Sequence, residues 1–303
     1  MLDPVAMFNS LQGIALWQQP TPFALTKANA PAWALIAADY VNGVIRCCSG
    51  PGVSLPFPPI AFEMLPSATR AVRIGSDDSA TVIRYDLNNR TGAFIQPPVV
   101  VAGSAAGYAD GAAATARFNG VYGFAGDGVH MVYVTECLAN FCVRSINITS
   151  LSVKTVAGSR VSAVVDGVGT AASLQYPLGL AYHSLRHILY VGGQTTAIRK
   201  IDLATRNVTT LRLSIVINWP HFLQLTPSYD ALFVSIYQTN TVLAIDTATD
   251  TLIRVVAGVS GISGTSDGFG SSARFTQPEG IALIGAEYGW PCLYVHEESP
   301  AYI

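Results

Sequence analysis

The chain has 303 residues, half of them hydrophobic and only 12% charged, with 17 Lys and Arg against 19 Asp and Glu. Such a composition buries a large core and excludes a disordered chain. A formal charge of −2 and only three lysines (Lys27, Lys154, Lys200) offer no basic face, which disfavours nucleic acid and anionic membrane surfaces as partners.

The start, MLDPVAMFNSLQGIAL, lacks the basic region and unbroken apolar run of an export leader. No stretch reaches the roughly 18 apolar residues of a membrane span, so no membrane segment is expected. In chain order, a first strand runs through Phe8 and Gly13, and WQQPTPFALTKANAPAW at 17–33 reads as a long loop before NGVIR from Asn42. ATVIR from Ala80 leads into YDLNNRTG at 85–92, an alternating strand entering an Asx-type turn. VVVAGSAAGYADGAAATARFNGVYGFA occupies 99–125, followed by MVYVTE, NFCVR from Asn140 and INITSLSV at 146–153. The order then returns as TVAGSRVSAVVDGVGTAASLQYPLGLA (155–181), ILYVGG, TAIRK from Thr195 and IDLATRNVTT (201–210). ALFVSI, a degenerate NTVLA from Asn240, and IDTATDTL (245–252) precede VVAGVSGISGTSDGFGSSARFTQPEGIAL (255–283) and CLYVHE.

The repeat is specific. Asp110-Gly111, Asp166-Gly167 and Asp267-Gly268 each stand eight positions (from Asp) before an apolar residue, Phe118, Leu174 or Phe275. A glycine follows five residues later, at Gly123, Gly179 and Gly280. Each unit then reads as four short strands, and units recur roughly every 40 to 60 residues, the spacing of radially arranged four-stranded sheets. The fold expected is an all-β, six-bladed β-propeller with five full blades and an incomplete sixth. The approximate blades are 8–52, 53–101, 118–158, 174–213, 219–258 and 275–303, and the incomplete last one suggests a fragment or an imperfectly closed ring. The Asp-Gly phrase reads as the crossover from one blade's outer strand to the next blade's inner strand. Asp should cap the turn and Gly supply a left-handed backbone. Phe118, Leu174 and Phe275 should plug the seams, with the later glycines near the crowded axis.

These phrases resemble NHL repeats: the Ala-Gly strand end, the Asp-Gly crossover, the Gly-apolar-Ala inner strand and the YV…Asn-x-x-Val/Ile-Arg…Asp core. The resemblance spans nearly the whole chain and is weaker over 53–98 and 212–254, where Asp-Gly crossovers are missing. It implies a six-bladed propeller that binds protein, RNA or small ligands, with a few metal-dependent lyases or lactonases among its relatives.

Several apparent chemical motifs fall into the crossover slot. Gly264-Thr-Ser266-Asp-Gly268 matches the nucleophile elbow, but lacks a strand-to-helix setting and takes the place of Ala109 and Val165 in the other copies. Gly167-Val-Gly169 and Gly268-Phe-Gly270 open dinucleotide-like fingerprints without a following helical period. His183 and His187 are four apart on a hairpin turn, and the five histidines occupy different slots in different units. Among Glu63, Glu136 and Glu279, only Glu279 adjoins an inner strand that could present it to a channel metal. No catalytic residue, metal or cofactor is assigned.

Cys137 and Cys142 bracket LANF, a hairpin turn across which a disulfide could form, while a zinc site lacks further ligands. Three glycosylation sequons, at Asn89, Asn147 and Asn207, all fall in third-to-fourth strand turns. Together they favour a secreted or cell-surface protein if an N-terminal signal is missing from this sequence, and a cytoplasmic one otherwise. The expected function is a non-catalytic scaffold whose loops bind a protein or glycan partner; the alternative is a metal-dependent lyase or hydrolase in the central channel.

Overall fold

The computed structural model describes the strands between residues 11 and 75, residues 80–87, 97, 99–127 and 130–284, and 292–297. Side chains are described for 80–83, 97, 99–127, 130–281, 283, 293 and 295–297. The chain is all-β, its helical content among the described residues limited to two 3-10 turns, Gly169–Ala171 and Gly270–Ser272.

The first sheet comprises β1 (Leu11–Gln18), β2 (Trp33–Asp39), β3 (Val44–Cys47) and β4 (Val53–Ser54); the second comprises β5 (Ala61–Met64), β6 (Arg70–Gly75), β7 (Val82–Leu87) and β8 (Val99–Ala102). A short β9 (Gly111–Ala112) precedes the third, β10 (Val121–Gly126), β11 (Met131–Glu136), β12 (Cys142–Asn147) and β13 (Ser152–Ala157). Likewise β14 (Gly167–Val168) precedes the fourth, β15 (Pro177–His183), β16 (Ile188–Gly193), β17 (Arg199–Asp202) and β18 (Asn207–Thr210). The fifth is β19 (Pro220–Leu225), β20 (Ala231–Ile236), β21 (Thr241–Asp246) and β22 (Thr251–Gly258), and the sixth holds β23 (Pro278–Ile284) and β24 (Cys292–Glu297) among the described residues. Each sheet is an antiparallel meander in sequence order, and the whole is propeller-like.

The first strands of the sheets are neighbours. β10 touches β5 and β15, β19 touches β15 and β23, and β1 touches both β5 and β23. Strand alternation then gives the third and fourth sheets two apolar faces, one for each neighbour. In the third sheet Val132, Val134, Ile146 and Val153 face the second, joining Val82, Val101 and Ala102. Tyr133, Val143 and Val156 face the fourth, joining Leu180, Leu189, Ile201 and Val208. Phe118 lies wholly buried in the first of these seams and Leu174 in the second, each burial contributing about 1.5–3 kcal/mol. Phe275 is only half-buried.

The crossover segments do more than connect. Gly111 and Ala112 pair with Val153 and Ser152, so β9 becomes a fifth strand on the outer edge of the sheet it is about to enter. β14 does the same against β18. The left-handed backbone expected at every Asp-Gly glycine occurs at Gly111 (φ +126°) but not at Gly167 or Gly268. There it falls two residues later, at Gly169 (φ +57°) and Gly270 (φ +55°), which open the 3-10 turns. Gly167 and Gly268 are glycines because of close approach: a Cβ would lie 3.2 Å from Ala171 C and 2.9 Å from Ser272 Cβ.

Candidate functional site

Asp110 does not cap its own turn. Its carboxylate receives Arg144, with Nη2 donating to Oδ1 at 2.6 Å and Nε at 3.1 Å, and also the Thr155 amide at 3.0 Å and hydroxyl at 3.1 Å. Arg144 is the arginine of NFCVR, fully buried, with Phe118 under its guanidinium at 5.0 Å. Its remaining donors reach the Ala109 and Arg117 carbonyls and the buried Glu136 carboxylate, Nη1 to Oε1 at 2.6 Å. Glu136 Oε2 accepts from the Asn119 amide at 2.6 Å and from Asn140 Nδ2 at 2.5 Å. The crossover, second strand and third strand are thus clamped on one guanidinium.

The fourth sheet repeats the clamp in lighter form. Arg199 donates to Asp166 Oδ1 at 2.8 Å, to Val165 O at 3.0 Å and to Ser173 O at 2.7 Å. Gly193 stands where Glu136 would be, and Arg199 Nε finds no partner. In the fifth sheet both halves are gone: the preceding crossover has no Asp-Gly and the arginine position holds Ala244. Burial works against the Arg144 charge, yet Glu136, Cys142 and Asp110 more than offset it; burial pushes the Glu136 carboxyl up despite Arg144.

A second repeated device works at the inner strands. Inner strands β10, β15, β19 and β23 break register where they near their neighbours, between Val121 and Phe124, Pro177 and Leu180, Pro220 and Leu223, and Pro278 and Ile281. Gly123, Gly179 and Gly280 sit inside these breaks, as expected of the crowded axis. A Cβ on Gly123 would lie 2.0 Å from Leu178 O, and on Gly179 2.2 Å from His221 O. The Gly123 amide donates to Thr135 Oγ1 at 2.7 Å, and that hydroxyl donates to Leu178 O at 2.6 Å. Ser235 relays in the same way from the Phe222 amide at 3.1 Å to Glu279 O at 2.5 Å.

His221 and Glu279 occupy neighbouring inner strands with Nδ1 and Oε1 3.5 Å apart, both buried, beside the rings of Tyr122, Phe222 and Tyr237. Burial pulls the His221 pKa down to about 4, so the ring is neutral at neutral pH. Unfolding returns it to an ordinary value near 6.5, so only the unfolded chain takes up the proton between these values. His221 therefore lends stability that is whole above pH 6.5 and lost as pH falls toward 4, about 3 kcal/mol in all. His221→Phe is expected to flatten that acid limb in chemical denaturation measured from pH 7 to 4.

Other expected site residues do not converge. His183 stacks on Tyr229 at 5.0 Å, and His187 Nδ1 meets the Tyr182 hydroxyl at 3.1 Å. Contrary to the expectation that only Glu279 adjoins an inner strand, Glu63 lies on the first strand β5, its side chain outside the described residues, while Glu136 belongs to the arginine clamp. Among the described residues no three His, Cys, Asp or Glu side chains form a metal-holding group. Ser266 is exposed in the extended crossover, its carbonyl accepting from the Arg274 amide at 2.9 Å.

The disulfide expected between Cys137 and Cys142 is absent: both are free, buried thiols. Glu136 and Cys142 are direct cross-strand partners, so Cys137, one residue past Glu136, faces the other way. Cys137 Sγ meets Gly120 O and Cys142 Sγ meets Glu136 Oε1. Of the sequon residues, Asn89 lies outside the described residues. Asn147 ends β12 and accepts the Thr149 and Ser150 amides at 2.9 and 2.8 Å, while Asn207 is exposed at the start of β18.

The two ends of the sheets differ in chemistry. At one end, the third-to-fourth strand turns carry Asn147 and the Asx turns of Asp202 and Asp246, whose carboxyls accept amide hydrogens that hold their pKa values down. At the other end lie the second-to-third strand turns and the crossover loops. There Leu138, Val161, Val164, Tyr176, Val216 and Ile262 are exposed, Val216 at 86%. They come from three successive sheets. The sequence reading missed this asymmetry; its only signal was the valines of SRVSAVVDG and the SIVINW run, apolar residues inside loops.

No family model matches this chain, and no curated protein matches it. A solved structure from Bacteroides thetaiotaomicron VPI-5482, a structural genomics protein of unknown function, matches with a TM-score of 0.63 at 14% identity, over 91% of this chain. The chain spans 65% of that protein's length. The likeness is one of fold. No helix among the described residues is long and apolar enough to cross a membrane.

Proposed function

We infer that this chain is a six-bladed propeller of NHL type, acting as a non-catalytic scaffold that binds a protein through its crossover end. The contacts of β1 with both β5 and β23 support a ring, and the clamps and inner-strand relays support a rigid one. The observation that carries the functional reading is the larger exposed apolar set on the crossover end; among the described residues the turns of the opposite end expose Leu151 and Leu185 beside their Asx turns. Exposed apolar side chains grouped on one end favour a protein over a glycan. Glycans on Asn147 and Asn207 would occupy the polar end and leave the binding end clear.

Val161→Glu combined with Val216→Glu should leave the melting temperature unchanged and remove the protein captured by the chain from its native source. Leu185→Glu, on the polar end at 75% exposure, should leave capture intact. Capture that survives the first pair and fails with the second would reverse the assignment. The second reading, a metal-dependent lyase or hydrolase in the channel, draws on the His221–Glu279 pair. It requires divalent metal in the native protein, lost on Glu279→Gln.

A further inference from the structure

The charges divide between the two ends of the sheets as the turns do. Asp127, Asp202, Asp230, Asp246 and Asp250 lie in the turns of one end, against Arg186 and Arg206. The crossover end is different. Of its acids, Glu136 and Glu279 are buried, and Asp110 and Asp166 are joined to Arg144 and Arg199. Glu297 receives the Thr276 amide, and the exposed Asp267 is matched in number by Arg274. Arg117, Arg160 and Arg212 are left, all exposed, and among the described residues none of them meets a carboxylate. Arg160 is held in place rather than loose. Its guanidinium lies 4.6 Å from the centre of the Tyr108 ring, and the Tyr108 hydroxyl is bonded to Thr155 Oγ1 at 2.7 Å. Its backbone takes the left-handed φ of +67°, which a residue with a side chain adopts only when its surroundings impose it. The neighbouring Ser159 hydroxyl meets that of Ser173 at 2.7 Å and accepts the Val161 amide at 3.3 Å. Val161 and Val164 follow Arg160 in one crossover loop, and Ile215 and Val216 follow Arg212 in the next, all four exposed.

We propose that the crossover end recognises an acidic, apolar segment of its partner protein, whose carboxylates meet Arg160 and Arg212 while its apolar side chains cover Val161 and Val216. The proposal rests on the crossover end being the binding end, and it names the chemistry that end selects. A guanidinium offers a planar fork of donors that matches a carboxylate, and desolvation by the surrounding valines strengthens the pair. Phosphate would satisfy the same fork, but single-stranded nucleic acid binds through aromatic faces on which bases stack. The exposed side chains beside these two arginines are aliphatic, which favours a polypeptide.

The probe is a synthetic peptide of alternating glutamate and leucine, titrated into the native protein by fluorescence anisotropy. It should bind more tightly than peptides of the same length that alternate lysine with leucine or glutamate with serine. Arg160→Gln combined with Arg212→Gln should weaken it about tenfold and leave the melting temperature near wild type, since both side chains are exposed. Arg160→Glu combined with Arg212→Glu should transfer the preference to the lysine peptide, and Arg206→Gln at the turn end should change nothing. Equal affinity for the glutamate and lysine peptides, or no binding of either, would overturn the proposal. So would tighter binding of oligothymidylate than of the glutamate peptide, because nucleic acid would then be the occupant. If Val161→Glu with Val216→Glu abolishes capture of the native partner while the two glutamine substitutions do not, the binding end stands and its acidic partner falls.

Discussion

Arg144→Ala is expected to lower the stability of the fold by about 3–5 kcal/mol, the cost of leaving a buried charge without its partner. The stranded group is Glu136, fully buried and 2.6 Å from the guanidinium. Asp110 loses less, since its side chain is 44% exposed and water can replace the arginine. The Ala109 and Arg117 carbonyls lose a donor as well. Urea denaturation measures the effect, and its pH dependence has a definite sign. Burial raises the Glu136 pKa in the folded state, so this group favours folding when protonated and opposes it as pH rises through that raised value. Without Arg144 the opposition grows, so the variant should lie closest to wild type in acid and furthest from it at neutral pH. Arg199→Ala should cost less, because Gly193 leaves no buried carboxylate behind. Replacing Arg144 and Glu136 together by Met and Leu should restore most of the loss, since apolar replacement of a buried pair is often nearly neutral.

Gly123→Ala should cost about 3 kcal/mol or more, although it adds a single methyl group. The new Cβ would lie 2.0 Å from the Leu178 carbonyl oxygen, a backbone atom of the neighbouring inner strand that no rotamer change can move away. Separating the strands also breaks the relay through Thr135, leaving the Gly123 amide and the Leu178 carbonyl unmet in a dry interior. Gly179→Ala should behave alike, with its Cβ 2.2 Å from His221 O. Thermal unfolding of both variants checks the claim, and a loss under about 1 kcal/mol in each would remove the close approach as the reason for these glycines.

What the sequence made legible follows from the range of each interaction. The second strands MVYVTE, ILYVGG, ALFVSI and CLYVHE coincide with β11, β16, β20 and β24 because alternation and flanking turns are local signals. Phe118 and Leu174 were readable as seam residues because an apolar anchor at fixed spacing has few other uses. The clamps were not readable. Asp110 and Arg144 stand 34 positions apart, Asp166 and Arg199 33 apart, and an Asp-Gly pair in isolation reads as a turn. The same limit hid Thr135, whose acceptor lies 43 residues away. The cysteines misled for the opposite reason. Their spacing is local, but which face each one takes depends on where β11 ends, and one residue of offset turns Cys137 away from Cys142. The His221–Glu279 approach depends on two inner strands meeting at the axis, which no spacing rule reports.

The most direct test of a scaffold that binds through its crossover end is hydrogen exchange on the chain alone and in the complex recovered from its native source. The account predicts new protection in residues 137–141, 158–166, 211–219 and 259–264, with the turns at 148–151 and 203–206 unchanged. Protection confined to those two turns, or to the inner-strand segments around His221 and Glu279, would contradict it.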